Sequence, residues 1–202
     1  MFPLGTVLFP HMVLPLHVFE PRYRVLMHDI LAGNGEFGVA LIERGHEVGG
    51  GDARSSVGTV AKLVQSEELD DGRWLALGVG TRRFTVDAWL EDDPYPRAAV
   101  TFLEDTHVEA DLGGWLEQVV PRIRRVLAMQ SELGDPGMES TFDLADEPEV
   151  ACWQCAVLAP LNPFDAQRVL ATDRCDRRME LLDELLIGLE ESMVFRLHDD
   201  QA

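Results

Sequence analysis

Val57-Gly58-Thr59-Val60-Ala61-Lys62-Leu63-Val64 and Trp74-Leu75-Ala76-Leu77-Gly78-Val79-Gly80 stand on either side of Asp70-Asp71-Gly72-Arg73. Both runs are rich in β-branched and other apolar residues, and Asp-Gly supplies the positive φ angles that a tight turn between twisted strands requires. The segment therefore predicts a β-hairpin. Working outward, Arg83-Phe84-Thr85-Val86-Asp87-Ala88-Trp89 continues the second arm or bends from it at Gly80, and Arg97 to Leu103 gives a further strand after the Pro94-Tyr95-Pro96 break. On the N-terminal side, Phe37-Gly38-Val39-Ala40-Leu41-Ile42 is a short apolar strand, with residues 45–56 as its exit loop. Several antiparallel strands with glycine bends predict a small barrel or curled sheet.

One helix interrupts this β region, over residues 20–31. Pro21 takes the first helical position, where its missing N–H is harmless, and Gly33 is a C-terminal stop. Tyr23, Met27 and Ile30, with Leu26 and Leu31, mark its buried side. Between Asp105 and Leu112 the period becomes helical, which divides the chain into a β subdomain over 1–107 and a helical bundle over 108–202. In 112–133 the apolar residues Leu112, Leu116, Val119, Val120, Ile123, Val126 and Leu127 mark a packed face, and Arg122, Arg124 and Arg125 are expected to look outward. Pro121 should kink this helix or split it. Residues 134–149 read as a loop, 149–159 as a second helix, and Asn162-Pro163-Phe164-Asp165 as a capped start of a third. The last helix runs from Asp173 to about Phe195.

Charge and motifs narrow the function. The 202 residues carry 17 basic and 36 acidic side chains, a net charge of −19, and Lys62 is the only lysine. A field of that sign repels phosphate backbones, so nucleic acid is not an expected partner. No apolar run approaches the roughly 18 residues needed to span a bilayer, no membrane partner is expected, and the N-terminus lacks the order of a signal peptide. The expected location is the cytosol. There is no phosphate-binding G-x-x-x-x-G-K-[ST] loop, no G-x-S-x-G and no H-E-x-x-H. Cys152-Trp153-Gln154-Cys155 has the spacing of a zinc or redox pair, but only Cys175 and distant histidines are left to complete a zinc site, and the pair falls inside a helical run. Buried packing cysteines are the reading, with no metal and no cofactor. What remains is apolar surface: Phe9, Met12, Val13, Leu14, Val18 and Phe19 exceed what one short strand and a loop easily bury.

At these residues the chain resembles a known family. Pro3-Leu4-Gly5-Thr6-Val7-Leu8-Phe9-Pro10-His11-Met12-Val13-Leu14-Pro15-Leu16 looks like the opening of the Lon protease N-terminal domain, and Phe19-Glu20-Pro21-Arg22-Tyr23 resembles a variant seen in stand-alone members. Val57-Gly58-Thr59-Val60-Ala61 followed by Asp71-Gly72-Arg73, Gly80 and Arg83-Phe84 is similar to the family's second block. Ala159-Pro160-Leu161 with Ala166-Gln167-Arg168-Val169-Leu170, and Arg177 ahead of Met179-Glu180-Leu181-Leu182, resemble its helical block. The resemblance implies an α+β fold, a PUA-like β-barrel subdomain with one inserted helix followed by a C-terminal helical bundle. It also implies a free-standing, non-catalytic module that binds unfolded or tagged polypeptides and serves a protease or chaperone, without the ATPase and Ser-Lys peptidase of Lon. Met12, Phe19, Glu20, Arg22 and Tyr23 are the expected peptide-binding residues. A small-molecule hydrolase and an RNA-binding protein on a PUA-like fold are the alternatives.

Overall fold

The computed structural model describes residues 1–44, 53–104, 112–135 and 137–199. The chain divides into two compact units, Met1–Glu104 and Asp105–Ala202. The first contains strands β1 (Phe2–Leu4) and β2 (Val13–Val18), helix α1 (Pro21–Ala32), and strands β3 (Glu36–Arg44), β4 (Ala53–Glu68), β5 (Trp74–Trp89) and β6 (Ala98–Phe102). The second contains α2 (Leu112–Glu132), α3 (Pro148–Leu158), α4 (Pro163–Ala171) and α5 (Cys175–Asp199).

The expected hairpin is the spine of the β unit. Gly72 has φ +77°, and the turn is closed by Gly72 N–H to Leu69 C=O at 2.8 Å and Leu69 N–H to Arg73 C=O at 2.8 Å. The second arm does not break at Gly80: β5 runs unbroken through it and pairs with β4 from Glu68↔Trp74 to Val57↔Thr85. Sheet order is β1-β3-β4-β5-β2, with β6 also on β5. All pairings are antiparallel except that of β1 with β3. The expected exit loop lies partly in 45–52, outside the described residues, while residues 53–56 already belong to β4. The boundary stretch 105–111 is likewise outside them.

Helix α1 packs its apolar stripe against the curled sheet. Tyr23, Leu26, Met27 and Ile30 join Phe2, Leu14, Leu16, Val18, Phe37, Val39, Ala61, Trp74 and Ala76 in one buried cluster. Full burial of aliphatic side chains such as these is worth roughly 1.5–3 kcal/mol each. Leu31 does not join them; the stripe of 23, 26, 27 and 30 leaves it at the rim, 48% exposed. As expected, Gly33 ends the helix, its N–H bonding Asp29 C=O at 3.0 Å. The result is a PUA-like open barrel with an inserted helix.

In the helical unit one expectation changes and another narrows. Of the two outcomes expected at Pro121, a split is ruled out, because α2 is continuous through it. The proline is on the exposed side, as is Glu117, whose carbonyl loses its helical donor where water can replace it. Arg122 does not simply look outward: it reaches Asp183 at 2.8 Å and Glu190 at 3.2 Å on α5, and Arg125 reaches Glu190 at 2.7 Å. A face that is polar in sequence thus carries ion pairs between helices. Arg124 bonds the Phe142 carbonyl at 3.2 Å. Asn162 caps α4 as expected, accepting from Phe164 N–H and Asp165 N–H, and α5 begins at Cys175 rather than Asp173.

Candidate functional site

The residues between β1 and β2 fold around a proline turn. Met12 N–H bonds Phe9 C=O at 3.2 Å, with Pro10 and His11 between them. His11 takes φ +64°, and its N–H meets Gly80 C=O at 2.8 Å while Gly80 N–H meets Met12 C=O at 2.9 Å. Two residues, His11 and Met12, therefore face one on β5, which is a β-bulge with its first residue in the left-handed region. The chain passes Gly80 so closely that a Cβ there would lie 2.1 Å from Phe9 O.

From this bulge β2 alternates strictly. Leu14, Leu16 and Val18 are buried, and Val13, Pro15 and His17 are exposed. The Gly80 to Met12 bond also sets the phase of the main chain. Leu14, Leu16 and Val18 turn their polar backbone groups toward β5, as Met12 does its carbonyl, while Val13, Pro15 and His17 turn theirs away. Among the described residues no strand pairs with that outer side of β2. The other end of the sheet is β1, so the barrel has a seam bounded by two strand edges.

An apolar slot of about 270 Å³ occupies the seam. Phe2, Leu4 and Thr6 line one wall, every residue from Leu14 to Phe19 lines the other, and Glu20 and Tyr23 at the start of α1 complete it. Tyr23 is 4% exposed and stacks on Phe2, ring centroids 4.3 Å apart. Phe19 is 49% exposed, and its carbonyl is held by Arg24 Nε at 3.0 Å. Glu20 accepts a bond from Arg22 Nε at 3.1 Å, and the Arg22 guanidinium lies 4.5 Å over the Tyr23 ring. The one carboxylate in the slot is thus held against a cation.

Of the five residues expected from the sequence, Phe19, Glu20 and Tyr23 line the slot, and Arg22 lies beside it as the partner of Glu20. Met12 does not line it; it is half-buried against the core cluster. The apolar surplus resolves as Phe9, Leu14 and Val18 buried, with Val13 52% exposed. Sequence reasoning missed Phe2, Leu4, Thr6, Pro15, Leu16 and His17 as lining residues. Pro15 was the available signal, because a proline inside a strand marks an edge.

The slot lining contains one carboxylate, Glu20, and one imidazole, His17. Among the described residues no group of three His, Cys, Asp or Glu is placed to hold a metal ion, and no helix is long and apolar enough to cross a membrane. Cys152 and Cys155 on α3 and Cys175 on α5 are buried thiols. Burial pushes Cys155 up to about 12, and a hydrogen bond shared with Cys175, together with burial, raises Cys152 strongly. Both stay protonated near neutral pH, which disfavours nucleophilic or metal-binding roles.

Comparison with known proteins agrees with this architecture. The family model for the ATP-dependent protease La (LON) substrate-binding domain matches residues 1–187. The Lon protease of Cytophaga hutchinsonii is 30% identical over 208 residues, covering 97% of this chain and 25% of the relative. A LON peptidase N-terminal domain and RING finger protein of Schizosaccharomyces pombe is 25% identical, over 96% of this chain and 46% of its own length. The chain thus spans about a quarter of the Lon proteases it matches. Among solved structures, the Lon N-terminal domain protein from Xanthomonas campestris aligns with a TM-score of 0.64 at 27% identity, covering 90% of this chain and 94% of that one. The N-terminal domain of Mycobacterium avium complex Lon protease shares the fold, with a TM-score of 0.63 at 17% identity over 91% and 96% of the two chains. Ordered motifs, an open barrel with an inserted helix, and a family match over most of the length lead to one conclusion: the chain belongs to the substrate-binding domain family of the Lon proteases.

Proposed function

We propose that the chain is a non-catalytic recognition module that binds unfolded or tagged polypeptide segments and presents them to a protease or chaperone. The observation that carries this reading is the slot at the barrel seam, lined mainly by apolar side chains and flanked by the exposed Phe19. A folded protein seldom leaves an apolar hollow and a large exposed aromatic side by side without a partner. Family membership supports substrate recognition as the general role. The slot's single carboxylate, held by Arg22, supports binding over hydrolysis. A net charge of −19 favours neutral or basic polypeptides over nucleic acid.

The test is a titration with unfolded, carboxamidomethylated lysozyme near physiological ionic strength, where loose charge attraction is screened. Saturable binding that Phe19→Ser weakens several-fold is the expected result. Absence of saturable binding, or binding indifferent to Phe19→Ser, would refute the reading.

A further inference from the structure

We propose that the bound polypeptide enters as an added β-strand, pairing its main chain with the outer edge of β2. This deepens the reading of the slot as a polypeptide site and rests on it. Three observations point to strand addition rather than to a pocket for isolated side chains.

First, the slot is lined by consecutive residues of β2, from Leu14 through Val18. Side chains of a strand alternate between its faces, so a cavity against a face meets every second residue. A cavity that meets each residue in turn runs along the edge. Second, that edge carries the N–H and C=O of Val13 and His17 and the C=O of Pro15, and no strand among the described residues pairs with it. Such a row is a template for another strand. Third, the hollow is small. At about 270 Å³ it lies at the lower edge of the roughly 300–1,000 Å³ of sites that bury a compact ligand, while β2 beside it is six residues long. That shape suits a short extended segment whose inward side chains are apolar.

The occupant is a segment of another polypeptide, extended, apolar at alternate positions and free of acidic residues. Its charge follows from the net −19 of the chain, since Glu20, the one charged residue of the lining, is already matched by Arg22; a carboxylate brought here meets like charge, whereas a flanking lysine does not. A second copy of this chain fits less well. In a two-fold pairing of β2 with itself each copy brings Pro15, which has no N–H, so donors are missing on both strands. An ordinary peptide supplies an N–H to every carbonyl of the edge, and only its own carbonyl opposite Pro15 needs another donor.

The experiment measures hydrogen exchange by NMR in the full chain, with and without a dansyl-labelled peptide of alternating valine and threonine closed by lysines. The His17 amide should exchange freely in the chain alone and slow at least about tenfold when the peptide saturates, as expected of a newly formed main-chain bond. The Leu16 amide, already directed at β5, should change little. His17→Pro, which removes the outward N–H at an edge position that tolerates proline, should weaken the peptide about tenfold while preserving the circular dichroism spectrum. If His17→Pro fails to fold, the exchange data on the unaltered chain decide alone. Peptide binding with no protection at His17 overturns strand addition while leaving polypeptide recognition intact. Failure of both the peptide and unfolded lysozyme to bind removes the underlying reading. Protection at His17 without peptide, in step with dimerisation seen by sedimentation, assigns the edge to a second copy and also overturns the proposal.

Discussion

The rings of Phe2 and Tyr23 lie 4.3 Å apart and 11° from parallel, which joins the first strand to the first turn of α1 across the base of the slot. Tyr23 therefore acts in the core as well as on the lining. Tyr23→Ala should lower stability by about 3–5 kcal/mol, the usual cost of truncating a buried aromatic, and Tyr23→Phe, which keeps the stack, by much less. Urea denaturation followed by tryptophan fluorescence separates the two. If Tyr23→Ala proves nearly neutral, the stack contributes nothing to the barrel.

Gly80 accepts the closest main-chain approach near the site. With Phe9 O only 2.1 Å from an added Cβ, Gly80→Ala must displace either the proline turn or β5. A loss of about 1–3 kcal/mol is expected, in the range of other overpacked positions. Binding of unfolded lysozyme should fall as well, because β2 hangs from this contact. A variant of unchanged melting temperature would show that the turn yields freely.

Acid should loosen the helical unit through Glu190. Its hydrogen bond from Arg125 lowers its pKa, with Arg122 adding to the effect. A carboxyl with a folded-state value below its unfolded one contributes stability that is complete above the unfolded value and disappears as pH falls through the folded one. Glu190→Gln should therefore melt below the unaltered chain at neutral pH, and the two should converge in acid below the ordinary glutamate range. Thermal melts at both ends of that window test this; a gap that persists in strong acid would contradict it.

The three thiols should be inert in the native state. Cys155 is pushed up to about 12 by burial, and Cys152 and Cys175 share a hydrogen bond out of solvent. An aromatic disulfide reagent at neutral pH should label them only as fast as the helical unit opens, and quickly in denaturant. Rapid labelling of one thiol in the folded chain would instead restore a redox role for the Cys152 and Cys155 pair.

How much the sequence revealed follows from how local each feature is. Asp71-Gly72 announced its hairpin, and Pro21 and Gly33 the limits of α1, because turn and cap chemistry reside in adjacent residues. The apolar surplus of residues 9–19 was legible as a group, but not that Val13 and Phe19 would be its exposed members. The slot itself was not legible, since it exists where two ends of a sheet stop short of each other, and no neighbouring residues encode the distance from Phe2 to Leu16. Arg122 was misread because its acceptors, Asp183 and Glu190, lie more than sixty positions away. At Pro121 the sequence left a kink and a split open, because a proline's effect depends on which side of the helix meets water.

The bulge at His11 also governs reading frame. Were β2 to slide by one position on β5, Leu14, Leu16 and Val18 would surface, Val13, Pro15 and His17 would turn inward, and Pro15 would leave its missing donor inside the sheet. By absorbing one extra residue ahead of the strand, His11 and Met12 hold the frame in which the donor gap faces the seam. A single residue inserted or deleted between Pro10 and Val13 would thus rewrite which groups the barrel offers to a visitor, while leaving every residue of the slot in place in the sequence.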